Sequence, residues 1–224
     1  MKFLHIEKEQ LNALVTNQLN SFFNDGNLVD EALLEKYQED TIDRLHNCFS
    51  HIKKPYFYEN GQPIFNHLHG DHYAMYLYLL CNTIWRLDKN EKLASKVFLL
   101  NKSLHGIDAF YSLDLPEIFL FVHPIGTILG HAKYSNYFIC YQNCTVGSTA
   151  EDRIYPVFEK EVALYSGASV IGKCAIGSNT VFGSNSFLLN TDVASNQVVL
   201  NSYPHNRIII NKRKIIEVCF NDNY

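Results

Sequence analysis

Histidine offers this chain its widest scope for chemistry, and ten are spread over 224 residues. His67, His69 and His72 form a His-x-His-x-x-His run that could ligate a metal, but no acid or thiol is spaced to complete a tetrahedral site. The run therefore reads as cap and core residues opening a helix. His123 and His131 stand eight apart in the second half, too few for a zinc site built from three imidazoles. No metal is expected. Cys48, Cys81, Cys140, Cys144, Cys174 and Cys219 are scattered without a Cys-x-x-Cys pair and read as buried free thiols. The densest basic cluster is Lys212-Arg213-Lys214 in a chain of net charge −4, which argues against duplex nucleic acid as a partner.

The elements that must position these groups divide in two. Before about residue 105 the apolar spacing is helical: Leu11, Leu14, Val15, Leu19 and Phe22, then Leu33, Leu34, Tyr37 and Ile42 after the Gly26-Asn27 break. Lys54-Pro55 and Asn60-Gly61-Gln62-Pro63 are turn chemistry. His72 to Leu87 reads as a largely buried helix and Glu91 to Leu104 as another, so the expectation is an all-helical N-terminal domain over 1–106. Acidic and polar residues interrupt the N-terminus before a signal sequence can form, and Ala74 to Cys81 is too short to span a bilayer. A soluble, cytoplasmic protein is expected.

Beyond residue 105 the period becomes six. From Phe110 the steps are Pro116, Val122, Ile128, Tyr134, Cys140, Val146, Asp152, Phe158, Leu164, Val170, Ile176, Phe182 and Leu188, apolar except at Pro116 and Asp152. A second column, four residues further on, runs mostly through small residues from Gly126 to Ser186. The cleanest stretch is Val170-Ile-Gly-Lys-Cys-Ala, Ile176-Gly-Ser-Asn-Thr-Val, Phe182-Gly-Ser-Asn-Ser-Phe. This is the hexapeptide repeat of a left-handed parallel β-helix, in which three six-residue faces close one triangular coil and residues eighteen apart stack. The predicted fold is α+β: helices over 1–106, the β-helix over 107–193 and a tail over 194–224. On that arithmetic Ser148, Ser166 and Ser184 form one vertical column; His105 would stack beneath His123 only if the coils already ran regularly there, and residue 105 precedes the clean registers.

Four segments, taken in order, resemble the signature of the serine acetyltransferases: His123-Pro-Ile-Gly-Thr-Ile-Leu-Gly130, Tyr141-Gln-Asn-Cys-Thr-Val-Gly147, Asp152-Arg-Ile-Tyr-Pro156 and Ser166-Gly-Ala-Ser-Val-Ile-Gly172. Upstream, His69-Gly-Asp-His72, opening a helix that ends at Ile84-Trp85, is similar to that family's Lys-Gly-Phe-His helix. The resemblance covers roughly 65–208 and is strong from 105 onward. It implies an acetyl-coenzyme A-dependent O-acetyltransferase working as a trimer or a dimer of trimers, with sites between subunits.

Acyl transfer to a hydroxyl requires a general base, a carboxylate to orient it, and N–H donors for the oxyanion. The resemblance assigns the base to His123 and its orienting carboxylate to Asp108. It assigns acceptor binding to Arg153 and Tyr155, and coenzyme binding to Gly147, Ser148, Ser166, Gly167, Gly183 and Ser184. The departures concern the acceptor. Tyr155 stands where the family has a second histidine, Val122 where it has an acid before the first, and Lys54 where it has an acid before proline. Acetyl transfer to a sugar hydroxyl or amine is thus an alternative acceptor chemistry, and a non-catalytic β-helical scaffold is the alternative to an enzyme.

Overall fold

The computed structural model describes residues 1–151 and 153–221. Its first half packs four helices, α1 (Leu11–Phe22), α2 (Glu31–Ser50), α3 (Gly70–Asp88) and α4 (Glu91–His105). Their starts and stops have local causes. Asp30 caps α2 by accepting from the Ala32 N–H at 3.2 Å, Asn90 caps α4 by accepting from Leu93, and Gly106 ends α4 at φ 65°, where a side chain would be strained.

This half is not all helix. Tyr58–Glu59 and Gln62–Asn66 form a hairpin whose turn residues Asn60 and Gly61 both have positive φ, and Lys2–Leu4 adds in parallel to its second strand. Asn-Gly between extended segments is a strong hairpin signal, and the turn reading of Asn60-Gly61 stopped short of pairing the strands beside it.

The second half is a three-sided coil of short parallel strands, each side carrying one inward apolar stack. One stack runs Ala109, Leu129, Val146, Val170, Leu188. The second runs Phe121, Cys140, Leu164, Phe182, Val199. The third joins Phe158, Ile176 and Val193. All of these side chains are buried, so each repeat covers its neighbour's apolar face. Gly167, at φ 71°, shows why glycine recurs at the corners: a Cβ there would lie 2.3 Å from Asn185 Oδ1 of the next coil.

The hexad column is obeyed from Tyr134 onward with one exception, and before that it slips. The inward residues are Ala109, Phe121 and Leu129 rather than Phe110, Val122 and Ile128, because the first coils pair at irregular offsets such as Asp108 with Ile128 and Phe119 with Phe138. Ile128 is 49% exposed while Leu129 is buried. The exception is one of spacing; Asp152, which the column also counts, lies outside the described residues. Thr145 pairs with Ser169 and Ile139 with Ala163, twenty-four residues on instead of eighteen, so six residues between Gly147 and Val157 leave the coil as a loop.

The coil also outruns its expected end at 193. Gln197–Leu200 continues the second stack, and Arg207–Ile210 then pairs with it antiparallel. A last helix, α5 (Ile215–Cys219), returns the chain to the first half, where the Lys53 N–H donates to the Cys219 carbonyl and Phe220 bridges Ile52. Helix α3 lies against the first coil: the Tyr78 hydroxyl donates to the Leu113 carbonyl at 2.7 Å and Asn82 Nδ2 to the Tyr111 and Leu113 carbonyls. That docking brings the N-terminus of α3 to the coil turn bearing His123. Among the described residues no helix is long and apolar enough to cross a membrane.

Candidate active site

His123 leaves strand Phe119–Phe121 at φ 47°, a left-handed conformation uncommon for a residue with a Cβ. A carboxylate from the other half fixes it there. The His123 N–H donates to Asp71 Oδ1 at 2.9 Å, and His123 Nδ1 lies 3.7 Å from the same oxygen. Asp71 is in the first turn of α3, where a negative charge suits the helix dipole. The two side chains have opposite exposures, 73% for His123 and 4% for Asp71. Asp71 Oδ2 is buried without a hydrogen-bond partner. Burial pushes the Asp71 carboxyl above the usual carboxylate range, opposed by the His123 N–H and by the imidazoles of His69 and His123.

The carboxylate expected at His123 was Asp108; in this structure Asp108 Oδ2 accepts from Lys102 Nζ at 2.6 Å. Lys102 is in the last turn of α4 and Asp108 opens the strand that follows, so chain proximity pairs them. Among the described residues Asp71 is the one carboxylate within 4.0 Å of a His123 ring nitrogen. His105 does not stack beneath His123 either. It is the last residue of α4, its Nδ1 donates to Asn101 Oδ1 at 2.8 Å, and burial holds its pKa down to about 4.

The acceptor and coenzyme residues lie elsewhere on the chain. Arg153 is exposed at φ 51°, on the loop that leaves the coil, and Tyr155 lies over the Gly130 backbone, 6.4 Å from the His131 ring. Among the described residues no hydrogen bond or ion pair joins either to His123. The serine column is broken by the same loop. Ser166 and Ser184 are neighbours on adjacent coils, since the Asn185 N–H donates to the Ser166 carbonyl. Beneath Ser166, however, comes Gln142, whose carbonyl accepts from Gly167. Ser148 follows Gly147 at another corner, where the Gly147 carbonyl accepts from Gly172. Gly183 precedes Ser184 and is closely packed, a Cβ there falling 2.7 Å from Leu200.

The histidine run is packed rather than open. His72 is fully buried, its Nδ1 accepts from the Asn66 N–H at 3.2 Å, and its ring lies 4.3 Å from Phe57. Burial takes its pKa down to about 3. His69 stacks on Tyr56 at 5.0 Å, and burial lowers its pKa against the opposing charge of Asp71. Among the described residues no group of three His, Cys, Asp or Glu is placed to hold a metal. The residue missed in the sequence was Asp71, in the middle of this run. Its one local signal was a carboxylate at the start of a helix; its pairing with His123 spans 52 residues.

No protein-family model matches the chain. A Schizosaccharomyces pombe protein carrying a provisional serine acetyltransferase name is 28% identical over 135 residues, 58% of this chain and 48% of that protein. The chain thus spans about half the length of that relative. A serine acetyltransferase of Brucella abortus solved with coenzyme A superposes with a TM-score of 0.69 at 14% identity, covering 94% of this chain and 85% of that one. A serine acetyltransferase solved with cysteine gives 0.68 at 19%, covering 92% and 86%. The chain is similar in sequence to proteins named serine acetyltransferase and shares the fold of solved serine acetyltransferases.

Proposed function

We propose that this protein is an acetyl-coenzyme A-dependent O-acetyltransferase in which His123 is the general base. The observation that carries the reading is an exposed imidazole beside one buried carboxylate, which accepts from the His123 N–H and lies 3.7 Å from its ring nitrogen, on a fold shared with enzymes of that chemistry. His123 accepts the proton of the acceptor hydroxyl as its oxygen attacks the thioester carbonyl; the tetrahedral intermediate collapses to the acetyl ester, and the departing thiolate takes the proton. The left-handed winding is inferred from the hexads together with the recurrent positive φ at the corners.

In this reading the catalytic unit is a trimer. Close to His123 in the chain Ile125 and Ile128 are 66 and 49% exposed, while Ile154 and Val157, flanking Arg153 and Tyr155, are 43 and 45% exposed. Exposed apolar residues in both segments suit a head-to-tail ring, which would set Arg153 and Tyr155 of one subunit against His123 of the next. The proposed coenzyme path follows the small residues Gly167, Ser166, Gly183 and Ser184, with Gly147 and Ser148 at the neighbouring corner. Arg153 is the group suited to grip an acceptor carboxylate.

A second acceptor class is favoured by one observation. Val122 is a buried apolar side chain, so the position before His123 offers nothing to an ammonium group. A sugar hydroxyl fits such a site. The test is a panel of serine, amino sugars and deoxy sugars with acetyl-coenzyme A, following free thiol. Transfer to serine supports the first acceptor, transfer to sugars alone replaces it, and no coenzyme binding leaves a scaffold.

A further inference from the structure

We propose that Asp71, delivered from the helical half, is the positioning residue that sets the ring orientation and tautomer of His123; this rests on the acetyltransferase reading above. Asp71 Oδ1 serves both the His123 backbone and its ring, so the conformation of the turn and the aim of the imidazole are held by one atom. With Nδ1–H turned to that oxygen, Nε2 is the nitrogen left to take the acceptor proton. A separation of 3.7 Å is long for a hydrogen bond, and such contacts tighten when the catalytic complex forms.

The charge balance points the same way. Among the described residues no lysine or arginine lies within 4.0 Å of Asp71, so no fixed positive charge pairs with it and the imidazolium that His123 becomes in the reaction can. A buried carboxylate with one unpartnered oxygen is costly to fold around, and such groups concentrate where a reaction uses them. The other titratable groups facing Asp71 are His69 at the entrance to α3, with His72 behind it, Tyr56 from the turn Pro55–Phe57, and Cys140 and Tyr141 from the coil. Burial keeps His72 neutral and the Tyr141 hydroxyl protonated, its pKa pushed up to about 12.

Two readouts separate positioning from a merely structural role. The first uses steady-state kinetics of Asp71→Asn and Asp108→Asn. Asp71→Asn is expected to lower kcat at least about tenfold with coenzyme affinity and acceptor KM within twofold. Asp71→Glu should restore part of kcat, and Asp108→Asn should leave kcat within twofold. An unchanged kcat in Asp71→Asn, or a larger loss in Asp108→Asn, overturns the assignment. The second needs neither a variant nor turnover: nitrogen-15 NMR of the wild-type His123 ring should show the proton on Nδ1 in the neutral form. A proton on Nε2 rejects the proposal, even if Asp71→Asn fails to fold. Absence of transfer to every acceptor would instead reject the acetyltransferase reading and leave the NMR result standing.

Discussion

Tyr155 lies across the backbone of Gly130: a Cβ on residue 130 would meet the tyrosine ring at 2.6 Å and the Val146 carbonyl oxygen at 2.7 Å. The glycine is therefore what lets the loop ending at Pro156 lie down on the coil. Gly130→Ala should destabilise the protein by roughly 1–3 kcal/mol, because the carbonyl belongs to a paired strand and cannot yield as a side chain can. Thermal melting of Gly130→Ala, with and without Tyr155→Ala, checks this: the second change should recover only part of the loss.

His123→Ala should abolish acetyl transfer while leaving the melting temperature and coenzyme binding near their starting values, since the side chain is exposed and its backbone contact is retained. Arg153→Lys should raise the KM for an acceptor carrying a carboxylate more than it lowers kcat, because the contact is made before the reacting hydroxyl changes charge. A sugar acceptor should be indifferent to it. Equal serine kinetics in Arg153→Lys and wild type would remove Arg153 from the site.

Ile128 is the apolar residue that repeat arithmetic sent inward and the fold turned out. If it meets a second copy of the chain, Ile128→Glu should lower the solution mass in sedimentation and lose activity in parallel, without lowering the single chain's helix signal. An unchanged mass with full activity would count against a subunit interface there.

Two histidines, His72 buried and His105 half-buried, contribute to the acid response. Burial lowers His72 to about 3 and His105 to about 4, while the unfolded chain titrates near 6.5. Between those values the unfolded state binds protons that the folded state refuses, so stability falls as pH drops below about 6.5, by about 1.4 kcal/mol per pH unit per group. The contribution of His105 is exhausted near pH 4 and that of His72 near pH 3. His72→Asn, which keeps an acceptor for the Asn66 N–H, should flatten denaturant midpoints measured from pH 7 to 4.

What was legible in the sequence was what repeats. Val170, Ile176, Phe182 and Leu188 announce the coil because each must bury the same kind of side chain in the same environment, and Leu11 to Phe22 announces a helix for the same reason. What was not legible was where the period breaks in phase. A loop of six residues leaves every later hexad in its column, so Ser148 still counts as eighteen from Ser166 although it sits at another corner. The partner of His123 was hidden differently. Asp71 reaches it only because α3 docks through Tyr78 and Asn82 on the first coil, and neither residue carries a pattern that names its target.

The loop between Gly147 and Val157 leaves the coil and rejoins it at the next pairing, so its length is uncoupled from the stacks: the pairing of Thr145 with Ser169 and of Ile139 with Ala163 does not count the residues extruded between them. Variation in the segment carrying Arg153 and Tyr155 is thereby filtered by chemistry and not by length. A fold of this kind can change what its loops grip while its apolar stacks stay in register.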